Sequence, residues 1–261
     1  MSSDALIQLD LVRLAWAVGL MAVAIGLSSW QRLGLEGSLA IATFRTILQL
    51  LAVGYFLAIV FAWRNPLAVV AVILAMMGVA AVVARNRISK KMPRLLPLIW
   101  GCLLTSTALT LAYTSVLVIR PNTWYEPRYI IPLAGIILGN AMNAAAIAGD
   151  RFVSTLQNSR VEIETHLSLG ATPSQAILVY RREAIKAGLI PTLNAMMVVG
   201  IVTLPGIITG QLLSGVNPLD AALYQMLIMF ILAFSTLLTA ILVIYGLSRQ
   251  FFSPAAQLVL P

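Results

Sequence analysis

Seven long, almost wholly apolar runs follow one another along the 261 residues, at about 11–29, 39–62, 66–84, 95–119, 129–149, 187–208 and 221–247. Roughly 20 consecutive apolar residues carry a helix across the hydrocarbon of a bilayer, so each run predicts a membrane span. Between the fifth and sixth runs the pattern changes to a charged segment, 151–186. Within it Val153, Leu156, Ile163 and Leu167 recur at helical spacing while Gln157, Glu164 and Ser168 take another face, which predicts an amphipathic helix. Gly170 is placed to end that helix. Thr172, Pro173 and Gln175 then supply a cap hydroxyl, a first-turn proline and the third-position partner of a capping box. Ala176, Ile177 and Tyr180 lead through Arg181, Arg182 and Glu183 into the sixth run. The segment therefore reads helix, tight turn, helix: either an interfacial element on the bilayer or, the preferred reading, a docking surface for a partner.

Composition agrees with the pattern. The chain is 60% hydrophobic and only 10% charged, with a mean hydropathy of +0.95, against roughly a quarter charged in soluble domains. The expected fold class is an all-α, polytopic transmembrane helical bundle, a single permease domain over 1–261 with a coupling segment at about 151–186. A net charge of +8 raises the question of nucleic acid. The basic residues instead sit in short loops between apolar runs, where membrane topology accounts for them, so no nucleic-acid partner is expected. With the N-terminus outside, Arg32, Arg85, Arg87, Lys90, Lys91, Arg94, Arg151, Arg160, Arg181, Arg182, Lys186 and Arg249 all fall on the cytoplasmic side. With Arg45 within a run and Arg13 at a run end set aside, only Arg64, Arg120 and Arg128 fall outside, a bias that predicts an N-out, C-in arrangement and a cytoplasmic 151–186 segment. Asp4 and the mixed stretch 10–13 do not resemble a cleavable leader, so the first run is expected to be retained. Cys102 lies within an apolar run and reads as a small core residue.

Glu164 and Gly170 have the spacing of the cytoplasmic coupling loop of ABC-transporter permeases. Further matches are Gly139 to Asn143 in the fifth run, Leu169 to Thr172 in the loop, Pro191 to Asn194 in the sixth, Leu204 to Gln211 at its end, and Tyr224 with Gln225. Together they resemble the FetB-type permease family, linked to iron export and related to plant permeases associated with aluminium tolerance. The resemblance covers nearly the whole chain, densest from Gly135 to Phe230. The Leu-Pro pair that follows the importer loop does not recur at its usual spacing. The resemblance implies a bacterial inner-membrane permease working as two copies with two cytoplasmic ABC ATPase subunits. It also implies a coupling role for Arg160, Glu164, Gly170 and Thr172. No phosphate-binding G-x-x-x-x-G-K-[ST] loop occurs in the chain, so ATP and Mg belong to the ATPase, and this chain is expected to be a transport subunit without a cofactor or enzymatic activity of its own.

Polar residues within apolar runs are the candidates for a transport pathway, because a charged side chain at mid-bilayer costs about 2.5–3.5 kcal/mol on insertion scales and normally faces an interior or water. Arg45 and Gln49 share a helical face; they read equally as pathway residues or as structural anchors. Asn140 and Asn143 are pathway residues or interhelical glue. Pro191, Pro205, Gly206 and Gly210 interrupt the sixth run, and interrupted helices are where transporters build sites, which adds Asn194, Thr209, Gln211 and Gln225. Met142, Met196, Met197 and Met226 read as packing. The sole histidine, His166, lies in the docking segment, and no residue is assigned as a metal ligand. The runs hold neither a histidine nor a G-x-S-x-G sequence, which argues against an intramembrane hydrolase. A secondary transporter or channel for a metal or small organic solute, without an ATPase, is the alternative reading.

Overall fold

A computed structural model describes residues 10–63, 65–90, 92, 94–120, 126–253 and 257–259. These residues are helical nearly throughout, and the chain divides into two compact units at Trp63/Arg64.

The first unit is a hairpin of α1 (Leu11–Trp30) and α2 (Glu36–Trp63). Its turn is closed by polar groups. Arg32 and Gly34 both take positive φ, at 53° and 69°, the Ser28 hydroxyl donates to Glu36 Oε1 at 3.0 Å, and Leu35 N–H donates to Ser28 Oγ at 3.3 Å. The long apolar faces of both helices are exposed.

The second unit packs α3 (Pro66–Ile88), α4 (Leu95–Tyr113), α5 (Pro127–Asn158), α8 (Leu178–Val198) and α10 (Pro218–Gln250) around α5. Helix α4 continues as a π-helical turn, Thr114–Ile119. Short helices α6 (Arg160–Ser168), α7 (Pro173–Ala176) and α9 (Gly206–Leu213) fill the connections. The starts are written in the sequence. Pro66, Pro127, Pro173 and Pro218 occupy the first turn of their helices, where a missing N–H leaves no bond unmade. Asn65 and Asn217 cap α3 and α10 by accepting from Leu67 and Leu219 N–H, both at 2.9 Å.

Small residues let the bundle close, as membrane helices require when lipid is as apolar as their own side chains. Ala141, Ala144, Ala145, Ala146, Ala148 and Gly149 of α5 are buried. Gly188 of α8 sits so close to α5 that a Cβ there would stand 2.9 Å from the Ala144 carbonyl oxygen and 2.9 Å from Ala148 Cβ.

Among the described residues six helices are long and apolar enough to cross a membrane: α1, α2, α3, α4 with its π-helical turn, α5 and α10. Two elements differ from the sequence reading. The fifth run does not stop near 149 before a separate amphipathic helix; α5 is one helix of 32 residues that carries Val153 and Leu156, and the break comes at Ser159. Nothing between Asp150 and Asn158 interrupts the hydrogen-bond ladder, so the helix runs on for about 48 Å, well past a hydrocarbon core of about 30 Å. The sixth run, expected as one span over 187–208, is two helices. Helix α8 starts earlier, at Leu178, and stops at Val198; Val199 caps it, Gly200 follows at φ +80°, and α9 begins only after Pro205. A glycine just past a helix end and a proline that forces its predecessor out of helical geometry together account for the break.

Candidate functional site

Two places in the second unit carry polar or exposed features that packing alone does not use. The first is the elbow formed by the end of α5, α6, α7 and the start of α8. Its inner side is apolar and closed: Phe152, Leu156, Ile163 and Ile177 are almost wholly buried and belong to the same core cluster as α3, α4, α5, α8 and α10. Phe152 meets Phe251 edge-on, with centroids 5.9 Å apart and rings at 80°. Polar contacts brace it. The Arg181 guanidinium stacks 5.0 Å over the Tyr245 ring and donates to the Ser174 carbonyl at 3.1 Å. Burial, then the nearby Glu162 carboxylate, holds the Tyr180 phenol above the usual tyrosine range.

The outer side of the elbow is different. Val161 and Leu169 are 77% and 81% exposed, on the face that also displays Thr165. Arg160 Nε and Glu164 Oε1 form an exposed ion pair at 2.7 Å along α6, worth only about 0.3–0.5 kcal/mol in such a setting. Gly170 turns the chain at φ +88°. Thr172 closes the capping box: its N–H donates to Gln175 Oε1 at 2.8 Å while its hydroxyl oxygen accepts from Gln175 N–H at 3.4 Å. The structure thus sets Arg160 and Glu164 on α6 and Gly170 and Thr172 in the exposed turn that follows it.

The second place is a cavity of about 350 Å³ at the α8–α9 break, where Met196, Val199, Gly200, Leu204, Pro205 and Ile208 face the first third of α10. Gln225 supplies the only polar side chain of its lining; it is 4% exposed, and its Oε1 has no hydrogen-bond partner among the described residues. The break runs beside α10 in the opposite direction: Gly188 lies against Ala240, and the later residues of α8 and α9 share the cavity with Ala222–Phe230.

The pathway candidates scatter. Gln225 lines the cavity. Gln211, on the adjoining α9, also has a buried Oε1 without a partner among the described residues, but Thr209 is turned onto its own helix, donating to the Pro205 carbonyl at 3.1 Å. Asn194 is exposed on α8 outside the lining. Asn140 donates to the Ile136 carbonyl of its own helix at 2.9 Å, whereas Asn143 joins α3 to α5 by accepting from Arg87 Nη1 at 3.3 Å. Arg45 and Gln49 lie exposed on α2 of the hairpin. Among the described residues no three of His, Cys, Asp and Glu come together as a metal site would need.

Sequence reading passed over a buried seam of hydroxyls. Ser106, Thr107, Thr110 and Thr114 of α4 and its π-helical turn, with Ser235, Thr236 and Thr239 of α10, are 0–2% exposed. Thr239 Oγ1 donates to Ser106 Oγ at 2.7 Å across the two helices, while Thr107, Thr114 and Ser235 hydroxyls have no partner among the described residues. The spacing of three to four was visible, but serine and threonine also back-bond to their own helices in apolar runs, so spacing alone did not single them out. The cavity residues Met229 and Phe230 were missed because they look like ordinary span residues until α8 breaks.

Long apolar helices joined by short turns, with small residues and hydroxyls at their contacts, define a helical integral membrane protein. The chain belongs to the uncharacterised protein family UPF0014, whose sequence model matches residues 11–252. It is 52% identical to a UPF0014 membrane protein of Synechocystis over 255 residues, 98% of each chain. It is 33% identical to the "Probable iron export permease protein FetB" of Escherichia coli over 246 residues, 94% of this chain and 93% of that one. It is 32% identical to the protein ALUMINUM SENSITIVE 3 of Arabidopsis thaliana over 248 residues, 95% and 89% of the two chains. No solved structure matches.

Proposed function

We propose that this chain is the permease subunit of an ABC transporter of the bacterial inner membrane, exporting iron or another metal with ATP hydrolysed by a separate cytoplasmic subunit. The observation that carries the reading is the elbow: α6 and its turn, with exposed Val161 and Leu169 outside and Ile163 and Ile177 sunk in the bundle core inside. A close-packed interior transmits displacement with little compression, so a push on the turn would reach α5 and α8 together. The resemblance of Glu164 and Gly170 to the permease coupling loop and the similarity to the Escherichia coli relative named as a probable iron export permease support the same reading. Two copies of the chain with two ATPases, the N-terminus outside and the elbow inside complete it, with α8 and α9 acting as the two halves of a seventh crossing. ATP-driven closure of the ATPases then rocks α5 and the broken α8–α9 pair, opening and closing access to the cavity at Gln225.

The test is reconstitution with the partner ATPase in vesicles. Leu169→Asp and Glu164→Ala are expected to abolish or strongly lower substrate-stimulated ATP turnover without changing membrane insertion; unchanged coupling overturns the docking role. Ser168→Cys, labelled from one side of the membrane at a time, is expected to react only from the cytoplasm, and Cys102, being buried, leaves the background low. The discontinuous α8–α9 pair is also the device of secondary transporters. Flux through the purified chain without nucleotide would favour that second reading.

A further inference from the structure

We propose that the cavity at the α8–α9 break takes a neutral, mostly apolar small molecule whose single hydrogen-bonding group lies against the Gln225 amide. The assignment rests on the reading of this cavity as part of the transport path and names the class of substrate that fits it. A metal passing here travels inside an uncharged organic chelate.

Size is the first argument. About 350 Å³ lies in the range of pockets for small organic ligands, roughly 300–1,000 Å³. A bare ion in that space would leave most of the wall without contacts, and an empty apolar wall forfeits its dispersion energy. Charge is the second. The lining consists of Met196, Met226, Met229, Phe230, other aliphatic residues and one carboxamide, and holds no charged side chain. An ion stripped of water there would meet no opposite charge, and hard cations prefer several oxygen or nitrogen donors over thioethers.

Gln225 is the third argument. Gln225 borders the cavity, but its Oε1 is sealed from that space and has no partner among the described residues, a condition that costs about 1–3 kcal/mol and that a turn of the amide toward an entering hydroxyl would relieve. The amide can turn either its donor or its acceptor end inward, and a hydroxyl on the ligand can satisfy either. Met196, Met226 and Met229 suit the remainder of such a ligand, because unbranched thioether side chains conform to irregular apolar shapes.

The experiment uses the full chain in nanodiscs and two probes of nearly equal shape, 2-naphthol and 2-methylnaphthalene, which differ in a hydroxyl against a methyl. Comparing wild type with variants cancels partition into lipid. The wild type is expected to bind 2-naphthol about fivefold more tightly than 2-methylnaphthalene, the worth of one ordinary hydrogen bond. Gln225→Leu is expected to bring the ratio to about one while retaining 2-methylnaphthalene, with Gln225→Met as the check should the leucine variant fail to fold. Met229→Trp, or Ala222→Phe two turns earlier on α10, is expected to weaken both probes at least tenfold.

A wild-type ratio of one, a ratio that survives Gln225→Leu, or displacement of 2-naphthol by ferrous ion each overturns the assignment. Vesicle transport by the same filling variants separates the two ideas. If Met229→Trp stops transport while neither probe binds the wild type, the path stands and the substrate class falls. If the probes bind as expected while transport continues unchanged in the filled variant, the cavity is off the path, and the assignment of substrate class falls with it.

Discussion

The hairpin helices α1 and α2 and the central bundle helix α5 are nearly equal in mean hydropathy, at 1.7, 1.9 and 1.8, yet the two units bury very different shares of their helices. In the best membrane-length windows of α1 and α2 only 6% of residues are buried, against 50% in α5 and 56% in α10. Hydropathy does not make the difference. In lipid, an apolar face gains nothing by leaving hydrocarbon for another apolar face, so helices associate where small residues permit close approach or where hydroxyls bond across. The bundle has both, in the alanines of α5 and in the Thr239–Ser106 bond. The hairpin is joined at its turn by the polar closure of Ser28 on Glu36.

The comparison is broken or sharpened by matched substitutions in the two units, read as loss of thermal stability of the purified protein. The largest effect is expected for Phe152→Ala, about 3–5 kcal/mol, since the ring is wholly buried against Phe251; Phe44→Ala, on an exposed face of α2, is expected to cost less than about 0.5 kcal/mol. Next comes Gly188→Leu, about 1–3 kcal/mol from overpacking against the α5 backbone. Gly54→Leu in α2, where a Cβ meets nothing within 4 Å, is expected to be neutral or mildly stabilising. Thr239→Val is expected to cost about 0.6–1.7 kcal/mol through its lost interhelical bond, and Thr43→Val close to nothing, because the Thr43 hydroxyl bonds only the Leu39 carbonyl of its own helix. Equal losses in any of these pairs would show that the hairpin is packed as tightly as the bundle.

The smallest stability effect and the sharpest functional one are expected together at Arg45. Arg45→Gln is expected to leave thermal stability within about 0.5 kcal/mol while altering flux in reconstituted vesicles and leaving ATPase binding unchanged. Loss of assembly instead would make Arg45 a structural anchor. Its exposure on α2 fits either role, which is why flux and assembly must be measured on the same variant.

Much of the chain was legible in one dimension. Runs of apolar residues gave the helices because a bilayer leaves the backbone no partner but itself. Thr172, Pro173 and Gln175 gave the capping box because that bond pattern is local, and Gly170 gave the turn because its φ of +88° disfavours other residues. Legibility failed where distance along the chain stopped predicting distance in space. Asn140 and Asn143 looked alike, one turn apart, and only the placement of Arg87 on α3 made one of them an interhelical bond and left the other on its own helix.

The sequence by itself determined that this is a helical membrane protein with one charged helix–turn–helix elbow, since apolar length and caps are properties of neighbours along the chain. The tertiary structure alone decided that the sixth run breaks beside α10, that Gln225 rather than Asn194 or Thr209 faces the resulting cavity, and that a row of hydroxyls is sealed between α4 and α10. Those outcomes depend on which faces of distant helices meet, and in an apolar sequence every face offers lipid and protein nearly the same surface.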